Sequence, residues 1–440
     1  MQYLSNIFFI AIFGFAIWFF SRNMKKIVRN IKLGRDHKRH DRSAERWKVM
    51  ARLALGQGKM GVKPVAGILH GFVYVGFILI NIEVMEILID GIFGTHRVLH
   101  FLGSFYTGMI SFFEVLALLV LIGCAIFLIR RNILHVKRFM KREMKGWPWK
   151  DANYILIMEI TLMSALLLMN GADLALQKMG SAHYIQTGPF LISSWLTEPL
   201  LNGLGETTLI IIERVCWWFH IIGILFFLNY LYYSKHLHIL LAFPNTYYSK
   251  LEPKGEFDNL EAVTREVKLM MDPNADPYAA PAEGAGEPET FGAKDIFDLS
   301  QVQLLNAYTC TECGRCTEQC PANMTGKLLS PRRIMMATRD RLEDVGKVID
   351  QKGKWEDDGK TLLDYISPEE LWACTTCNAC VQACPVGIDP MSIIVDMRRY
   401  LVMEQSAAPQ ELNVMMSNLE NNGAPWPYGQ QDRMNWANEN

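Results

Sequence analysis

The chain has 440 residues, and its 44 basic and 45 acidic side chains leave a net charge of −1. That length gives room for two or three domains and a large core. The balanced charge favours neither nucleic acid nor an acidic substrate as a partner, so we expect no nucleic-acid binding. Apolar residues dominate the first half of the chain, whereas the last third is polar. This asymmetry predicts a membrane part followed by a water-exposed part.

Five apolar stretches are long enough to cross a bilayer as helices. The first has no basic segment before it and no small-residue cleavage site after it, and a basic stretch follows it directly. We therefore interpret it as a retained membrane helix and not as a secretory signal. The predicted spans are about 3–20, 66–89, 108–129, 153–175 and 207–233.

The basic residues between the spans predict their orientation. Lys and Arg crowd 21–63 and 130–150, whereas 91–107 and 176–206 each contain a single basic residue. Because excess positive charge stays in the cytoplasm, the N-terminus should face outward and the chain after the fifth span inward. We therefore expect a multi-pass protein of a bacterial inner (cytoplasmic) membrane, with basic segments that contact lipid headgroups.

Composition divides the chain into four parts within an all-α fold. Residues 1–243 form the predicted five-helix membrane domain, 244–299 a linker rich in Pro, Ala, Gly and Glu, and 300–405 a compact helical domain. Residues 406–440 are poor in aliphatic side chains but contain large aromatic ones, which favours a partner-docking tail. Simple disorder of this tail is the alternative.

Two cysteine sets with the same spacing carry the strongest chemical signal. In each set, three cysteines are separated by two residues, and a fourth follows three residues later and precedes a proline, which is typical of 4Fe–4S clusters. In two-cluster proteins the fourth thiolate of each set binds the other cluster. We predict one cluster on Cys310, Cys313, Cys316 and Cys384, and a second on Cys374, Cys377, Cys380 and Cys320.

Other uses of these cysteines fit the spacing less well. Structural zinc prefers four ligands in separated pairs with longer intervals. Disulfides are rare in a reducing compartment, which is where the predicted orientation places this part of the chain. Cys124 and Cys216 lie within spans and are interpreted as packing residues.

Histidines near the cytoplasmic ends of two spans predict a haem site. His220 and His238 are 18 residues apart, which is five helical turns, so we expect both to project from one helix face about 27 Å apart along the axis. His70 lies one turn inside the second span, level with His238. A b-type haem needs two axial ligands at one depth, so we predict a haem between His70 and His238. The alternative is that these histidines face lipid headgroups and bind no haem. If a haem is present, His236 could replace His238 as its ligand.

Two resemblances extend this interpretation. The segment between the cysteine sets (LLSPRRIMMATRDRL, then SPEELWA) resembles the α-helical ferredoxin domain of succinate dehydrogenase iron–sulfur subunits and heterodisulfide reductases. The runs LHGFVYVGF and WWFHIIGILFFLNYLYYSKHLHIL resemble the cytochrome b subunit of respiratory nitrate reductases and heterodisulfide reductases. That family binds two haems from its second and fifth helices, and His70, His220 and His238 fall on matching positions.

The sequence departs from the cytochrome b pattern at Ile80, where the second-helix ligand of the outer haem would stand. A second haem on His220 therefore needs a ligand from elsewhere. His100, His96 and His183 lie toward the outer side, and we favour His100 because it is closest to a helix start. The alternative is a single haem, with His220 serving a quinone or a proton path.

Acidic residues inside spans are candidates for proton transfer to or from quinone, because charged groups are costly in a bilayer. Glu83, Glu86 and Glu213 are the leading candidates. The alternative is that these carboxylates form interhelical pairs, as charged groups in membranes usually do.

The function predicted from these residues is electron transfer. The resemblance to heterodisulfide reductase implies a further module with paired Cys-Cys motifs, which carries the reductase site and is either fused to such proteins or bound by them. This sequence contains no Cys-Cys pair. We expect an oxidoreductase subunit that passes electrons between menaquinone, haem b, two 4Fe–4S clusters and a separate cytoplasmic partner with such motifs. The alternatives are an anchor for a quinone-linked flavoprotein dehydrogenase, and a redox-sensing or scaffold iron–sulfur protein.

Overall fold

A computed structural model describes residues 4–36, 39–273 and 290–438 of the chain. Within these ranges the only strand-like pairing is an isolated bridge between Arg35 and Ser300, and the structure is otherwise helical. The all-α prediction is therefore confirmed for the described residues. The first part contains α1 (Leu4–Ile31), α2 (Ser43–Met50), α3 (Pro64–Phe93), α4 (Ser104–Asn132), α5 (Trp147–Met179), α6 (Leu191–Leu196), α7 (Glu206–Tyr230) and α8 (His238–Tyr247).

Five of these helices, α1, α3, α4, α5 and α7 with its following turn, are long and apolar enough to cross a membrane. The prediction of five spans is confirmed, although each helix extends beyond the apolar stretch that predicted it. Proline in the first turn and a left-handed glycine after the last turn set the ends of α3 and α5. Gly94 and Gly180 both have φ of 72°, which side chains other than glycine rarely adopt.

The second part is a helical domain that contains both cysteine sets, which we call the cluster domain (residues 290–405). Its helices are α10 (Gln301–Thr309), α11 (Arg315–Glu318), α12 (Pro321–Met324), α13 (Pro331–Lys352), α14 (Pro368–Trp372), α15 (Ala379–Ala383) and α16 (Pro390–Met403). Before it lies α9 (Glu261–Met271), and after it lie α17 (Gln410–Asn422) and α18 (Asn435–Asn438).

One structural detail contradicts the histidine argument from sequence. The fifth span does not continue to His238: α7 ends at Tyr230, two short turns follow, and His238 begins α8. Ser234 adopts an extended backbone, and its side chain accepts a hydrogen bond from the His236 amide at 3.1 Å. The expectation that His220 and His238 share one continuous helix face was therefore wrong, because this cap starts a new turn.

The boundary between linker and cluster domain also differs from the prediction. Ala293, Ile296 and Leu299 are completely buried in the core of the cluster domain, so the folded unit begins before residue 299. The Pro- and Ala-rich part of the predicted linker, 274–289, lies outside the described residues.

The bundle and the cluster domain share one hydrophobic core. Ile27 of α1, Phe227 of α7 and Leu241 of α8 belong to the same buried cluster as Leu304 and Ile334 of the cluster domain. A second cluster of buried apolar residues, which includes Phe9, Ile110 and Leu166, fills the bundle away from this junction. The cluster domain therefore packs directly on one end of the bundle, which we call the junction end.

Buried polar contacts accompany this shared core. The Arg332 guanidinium is completely buried and donates to Glu143 at 2.7 Å and to the Arg138 carbonyl at 2.9 Å. Asn30 of α1 donates to the Tyr308 hydroxyl at 2.9 Å. Burial acts to raise the pKa of Glu143, but Arg332 and the Ser330 hydroxyl outweigh burial, so that pKa lies below its ordinary value. Glu143 is consequently held as a carboxylate at the junction.

Replacing Arg332 with Met should weaken the junction, because Glu143 would remain buried without its partner. Removing one member of a buried ion pair costs about 3 kcal/mol or more. We expect a lower thermal midpoint in detergent and faster protease cleavage at the junction.

The matched control is Arg142→Met, which removes an exposed arginine next to Glu143. We expect a change within about 0.5 kcal/mol for that variant. Equal destabilisation by the two substitutions would contradict the assignment of the Arg332–Glu143 pair as a structural contact.

Candidate redox sites

The first candidate site is a small cavity in the cluster domain, which we call the first thiol site. The cavity is lined by Cys310 at the end of α10, by two cysteines of the loop and helix that follow, and by one cysteine at the end of α15. Among these, Cys310 is 7% exposed. Its four cysteines are Cys310, Cys313, Cys316 and Cys384.

The second candidate site is a similar cavity, which we call the second thiol site. Its cysteines are Cys320, Cys374, Cys377 and Cys380. The two loops that wrap the cavities have the same backbone pattern: the second and the fourth residue after the first cysteine are left-handed in both. These are Glu312 and Gly314 in one loop, and Thr376 and Asn378 in the other. The repeat in the sequence is therefore also a repeat in backbone conformation.

In the structure, the fourth cysteine of each set lies with the first three cysteines of the other set. Cys384 lies with the first set and Cys320 with the second, because α11 and α15 pack side by side. Cys316 and Cys380 lie close enough for their charges to act on each other. The two sites are thus neighbours within one folded unit.

The geometry fits a multi-atom cluster better than a single ion. Within the described ranges, no three His, Cys, Asp or Glu side chains converge tightly enough to hold one metal ion. Four thiols instead surround each cavity, and a zinc centre would need all four sulfurs about 2.3 Å from one point. Backbone amides also donate to sulfur, from Thr376 to Cys374 at 3.4 Å and from Ile388 to Cys384 at 3.3 Å. Amide donors of this kind stabilise cluster thiolates.

Burial affects the acidity of these thiols. It raises the pKa of Cys310 to about 12 and that of Cys384 to about 11, and neighbouring cysteines add to the effect. Four such groups in one cavity would repel each other as thiolates unless cationic iron lay between them. The donor set therefore suits iron–sulfur ligation.

Three histidines meet at the junction end, between the bundle and the cluster domain. The rings of His236 and His238 stack with centroids 5.4 Å apart, and His70 of α3 lies near enough to act on both electrostatically. The Nδ1 of His238 donates to the Lys235 carbonyl at 3.0 Å, which leaves Nε2 for another partner. The Nδ1 of His70 is buried without a hydrogen-bond partner among the described residues. This donor set fits axial ligation of a haem.

His220 lies deep in the bundle, and the structure does not bring His100 beside it. His220 is completely buried, its Nδ1 donates to the Leu162 carbonyl at 3.0 Å, and its Nε2 has no partner among the described residues. His100 is exposed in the short helix Val98–Leu102, with Nδ1 2.9 Å from the Arg97 carbonyl. His220 is about 21 Å along α7 from its first residue, so the two histidines differ in depth. His96 and His183 contact each other at the same outer end, with rings 5.4 Å apart.

The three predicted carboxylates have different surroundings. Glu86 accepts from the Tyr106 hydroxyl at 2.8 Å, and Glu213 pairs with Arg214. Glu83 is 2% exposed, and neither of its oxygens has a hydrogen-bond partner in the parts of the chain described here. Glu86 therefore has a hydrogen-bond partner on a neighbouring helix, Glu213 pairs with the next residue of its own helix, and Glu83 is a buried carboxyl of α3.

The structure also reveals polar residues that the cysteine and histidine patterns do not indicate. Lys235 contacts Glu312 of the first cysteine loop at 2.5 Å, and Arg315 donates to the Lys59 carbonyl at 3.0 Å. The Lys59 ammonium in turn donates to the Cys384 carbonyl at 3.1 Å. The sequence signal for these contacts is Glu312, a charged residue inside the first cysteine motif, two positions after Cys310. Cysteine spacing alone does not draw attention to it.

Comparison with known families matches residues 309–388 to the 4Fe-4S dicluster domain. Probable iron-sulfur-binding oxidoreductase FadF of Bacillus subtilis is 30% identical over 98% of this chain and 60% of its own length. EtfAB:quinone oxidoreductase of Syntrophomonas wolfei is 26% identical over 98% of this chain and 58% of its own length. The chain thus spans about three fifths of these two relatives. No solved structure matches it.

A further relative belongs to the Ferredoxin/F(420)H(2)-dependent CoB-CoM heterodisulfide reductase of Methanosarcina acetivorans. That polypeptide is 31% identical over 29% of this chain and 66% of its own length. The predicted resemblance to heterodisulfide reductase iron–sulfur subunits is confirmed, whereas the resemblance to cytochrome b stays a prediction. The chain is homologous to iron–sulfur oxidoreductases, and residues 309–388 form a 4Fe–4S dicluster domain.

Proposed function

We propose that this chain passes electrons between menaquinone in the membrane and a cytoplasmic protein, through haem b and two 4Fe–4S clusters. The observation that carries the proposal is the position of the first thiol site at the junction end. Lys59 and Lys235, which precede the predicted haem ligands His70 and His238, both contact residues of that site. When bound, a haem and two clusters supply one-electron carriers.

The position of the second thiol site supports an order for the relay. Cys377 is exposed, and so is Thr375, the residue that follows Cys374. Met324 and Leu328, which flank the Cys320 side of this site, are 64% and 51% exposed. We therefore propose that the first thiol site faces the haem and the second faces the partner.

We propose that the haem nearest the clusters is held by His70 and His238. A second haem would use His220, whose buried Nε2 is free for a ligand. His100 is the proposed second ligand from the sequence argument, and its distance in depth from His220 favours the alternative of one haem. In that case His220 would serve a quinone or a proton.

Quinone chemistry requires proton exchange, and Glu83 is the carboxylate best suited to it. Neither of its buried oxygens lies within hydrogen-bond distance of a described partner, whereas Glu86 and Glu213 are hydrogen-bonded and would assist. The charge distribution supports an inner-membrane location with the N-terminus outside and the cluster domain in the cytoplasm. Basic residues crowd the junction end, as the positive-inside rule requires.

The partner is proposed to dock beside the second thiol site and on the region after residue 406. Helix α17 has no buried residues, and Trp426, Tyr428 and Trp436 after it are exposed. A protein or module with paired Cys-Cys motifs is our first candidate. The name of the EtfAB:quinone oxidoreductase favours a second candidate function, in which this chain is the anchor subunit of a quinone-linked flavoprotein dehydrogenase.

Serine substitution tests the exchange of the fourth cysteine. We expect Cys384→Ser and Cys310→Ser to alter the same paramagnetic signal, and Cys320→Ser to alter the signal that Cys374→Ser alters. A protein that loses one cluster should contain about half the iron of the wild type. Cys216→Ser is the control and should keep all of its iron. A common signal for Cys384→Ser and Cys374→Ser would contradict the grouping.

Optical redox titration tests the haem. We expect His238→Ala and His70→Ala each to lose the b-type absorption nearest the clusters, because a haem iron with one axial imidazole is held weakly. His135→Ala, an exposed loop histidine, is the control. A wild-type protein purified without any haem would overturn the proposed path from quinone to clusters.

Replacing Glu83 with Gln should slow cluster reduction by a menaquinol analogue at least about tenfold, because a carboxyl that accepts protons is removed. Rapid mixing with optical detection measures the rate, and haem content should not change. Glu159→Gln, a second carboxyl within a span, is the control. Unchanged kinetics in Glu83→Gln would exclude Glu83 from the proton path.

A further inference from the structure

Lys235 occupies the turn between α7 and α8, at the point where the bundle meets the cluster domain. Its side chain is 11% exposed, and its ammonium donates to the Pro148 carbonyl at 2.7 Å. Its backbone amide donates to Asp151 at 3.2 Å. Because both ends of the residue are bound to the start of α5, its position is fixed by the bundle.

The same ammonium reaches the first thiol site. It pairs with Glu312 at 2.5 Å, and the Glu312 carboxylate also pairs with Arg339 of α13 at 2.8 Å. Glu312 lies between Cys310 and Cys313, its side chain is 3% exposed, and its backbone is left-handed with φ of 54°. A non-glycine residue in this conformation needs support from its surroundings. The two ion pairs supply that support and fix the loop that carries the cysteines.

Lys235 also contacts the predicted haem ligand through its backbone. Its carbonyl oxygen accepts a hydrogen bond from the Nδ1 of His238 at 3.0 Å. A carbonyl can only accept, so this contact places the proton on Nδ1 and leaves Nε2 as the metal-binding atom. A single residue therefore orients the imidazole on one side and supports the cysteine loop on the other.

We infer that Lys235 is a positioning residue that joins the proposed haem site to the first thiol site and raises the reduction potential of the cluster held there. The inference rests on the proposed function. A fixed positive charge in a poorly solvated place stabilises the reduced, more negative form of a nearby cluster. Net charge and hydrogen bonds around the sulfurs are the main protein levers on cluster potential.

A set of variants tests this by potentiometric titration of the purified full-length protein with paramagnetic resonance. Lys235→Met should lower the midpoint potential of the first-site cluster, and Lys235→Arg should restore it. Glu312→Gln should raise that potential, and the double variant should lie between the two single ones. Cys377→Ser identifies which signal belongs to the second site. The potential of the second-site cluster should stay unchanged in the Lys235 and Glu312 variants. Haem absorbance should persist in Lys235→Met, because the backbone carbonyl is retained.

Lys26→Met is the matched control. It removes another ammonium of the junction, which pairs with Asp350 at 2.5 Å near the far end of α13. Asp350 lies about 27 Å along that helix from Arg332, which lines the first thiol site. Lys26→Met should therefore leave both cluster potentials unchanged.

The outcomes separate this inference from the proposed function. Absence of haem or of one cluster from the wild-type protein would overturn the proposed function itself. If all cofactors are present and Lys235→Met shifts neither potential, or shifts both equally, the inference is overturned and the proposed function stands. If Lys235→Met does not assemble, the opposite shift expected of Glu312→Gln decides the question.

Discussion

The arrangement of the chain depends on an exchange in which each cysteine set contributes its fourth cysteine to the other site. Because Cys384 lies with the first set and Cys320 with the second, neither cavity can be completed unless α11 and α15 lie side by side. Helix α13, which separates the two sets in sequence, contacts α10, α11 and α16 of the same unit. The surface of this compact unit then matches the junction end of the bundle, where Arg332 contacts the loop before α5. The cysteine exchange thus fixes the unit, and the unit fixes the junction.

At the junction, charged side chains are buried as ion pairs and are not exposed to solvent. Arg332 with Glu143 and Lys235 with Glu312 both cross from the bundle to the cluster domain. Pairs of this kind add little to stability compared with apolar contacts of the same volume, but they are costly to misalign. They therefore specify orientation, whereas the shared apolar core supplies most of the favourable free energy. Under the proposed function, this division of roles would keep the haem and the first thiol site at a constant separation.

Much of the fold could be predicted from the sequence, because its strongest signals are local. Apolar runs of sufficient length predict membrane helices, and a repeated cysteine spacing predicts a dicluster domain. The predicted continuity of the fifth helix to His238 failed because an extended Ser234 cannot be distinguished by apolar periodicity within an aromatic run. The contacts of Lys235 and Glu312 were also beyond reach, since they join residues 77 positions apart. The difference in membrane depth between His100 and His220 depends on the position of the loop that contains His100. Composition does not determine that position.

The contact between Asn30 and Tyr308 has a consequence for biogenesis. Its partners are 278 residues apart in sequence, and α1 crosses so close to α13 that a methyl group at Gly346 would lie 2.5 Å from the Asn30 amide. The buried face of α1 is therefore covered only after α10 and α13 have been synthesised. Contacts of such long range form late, after the entropy of closing the intervening chain has been overcome. The core that α1 shares with the cluster domain therefore closes only once the residues on both sides of the junction are present.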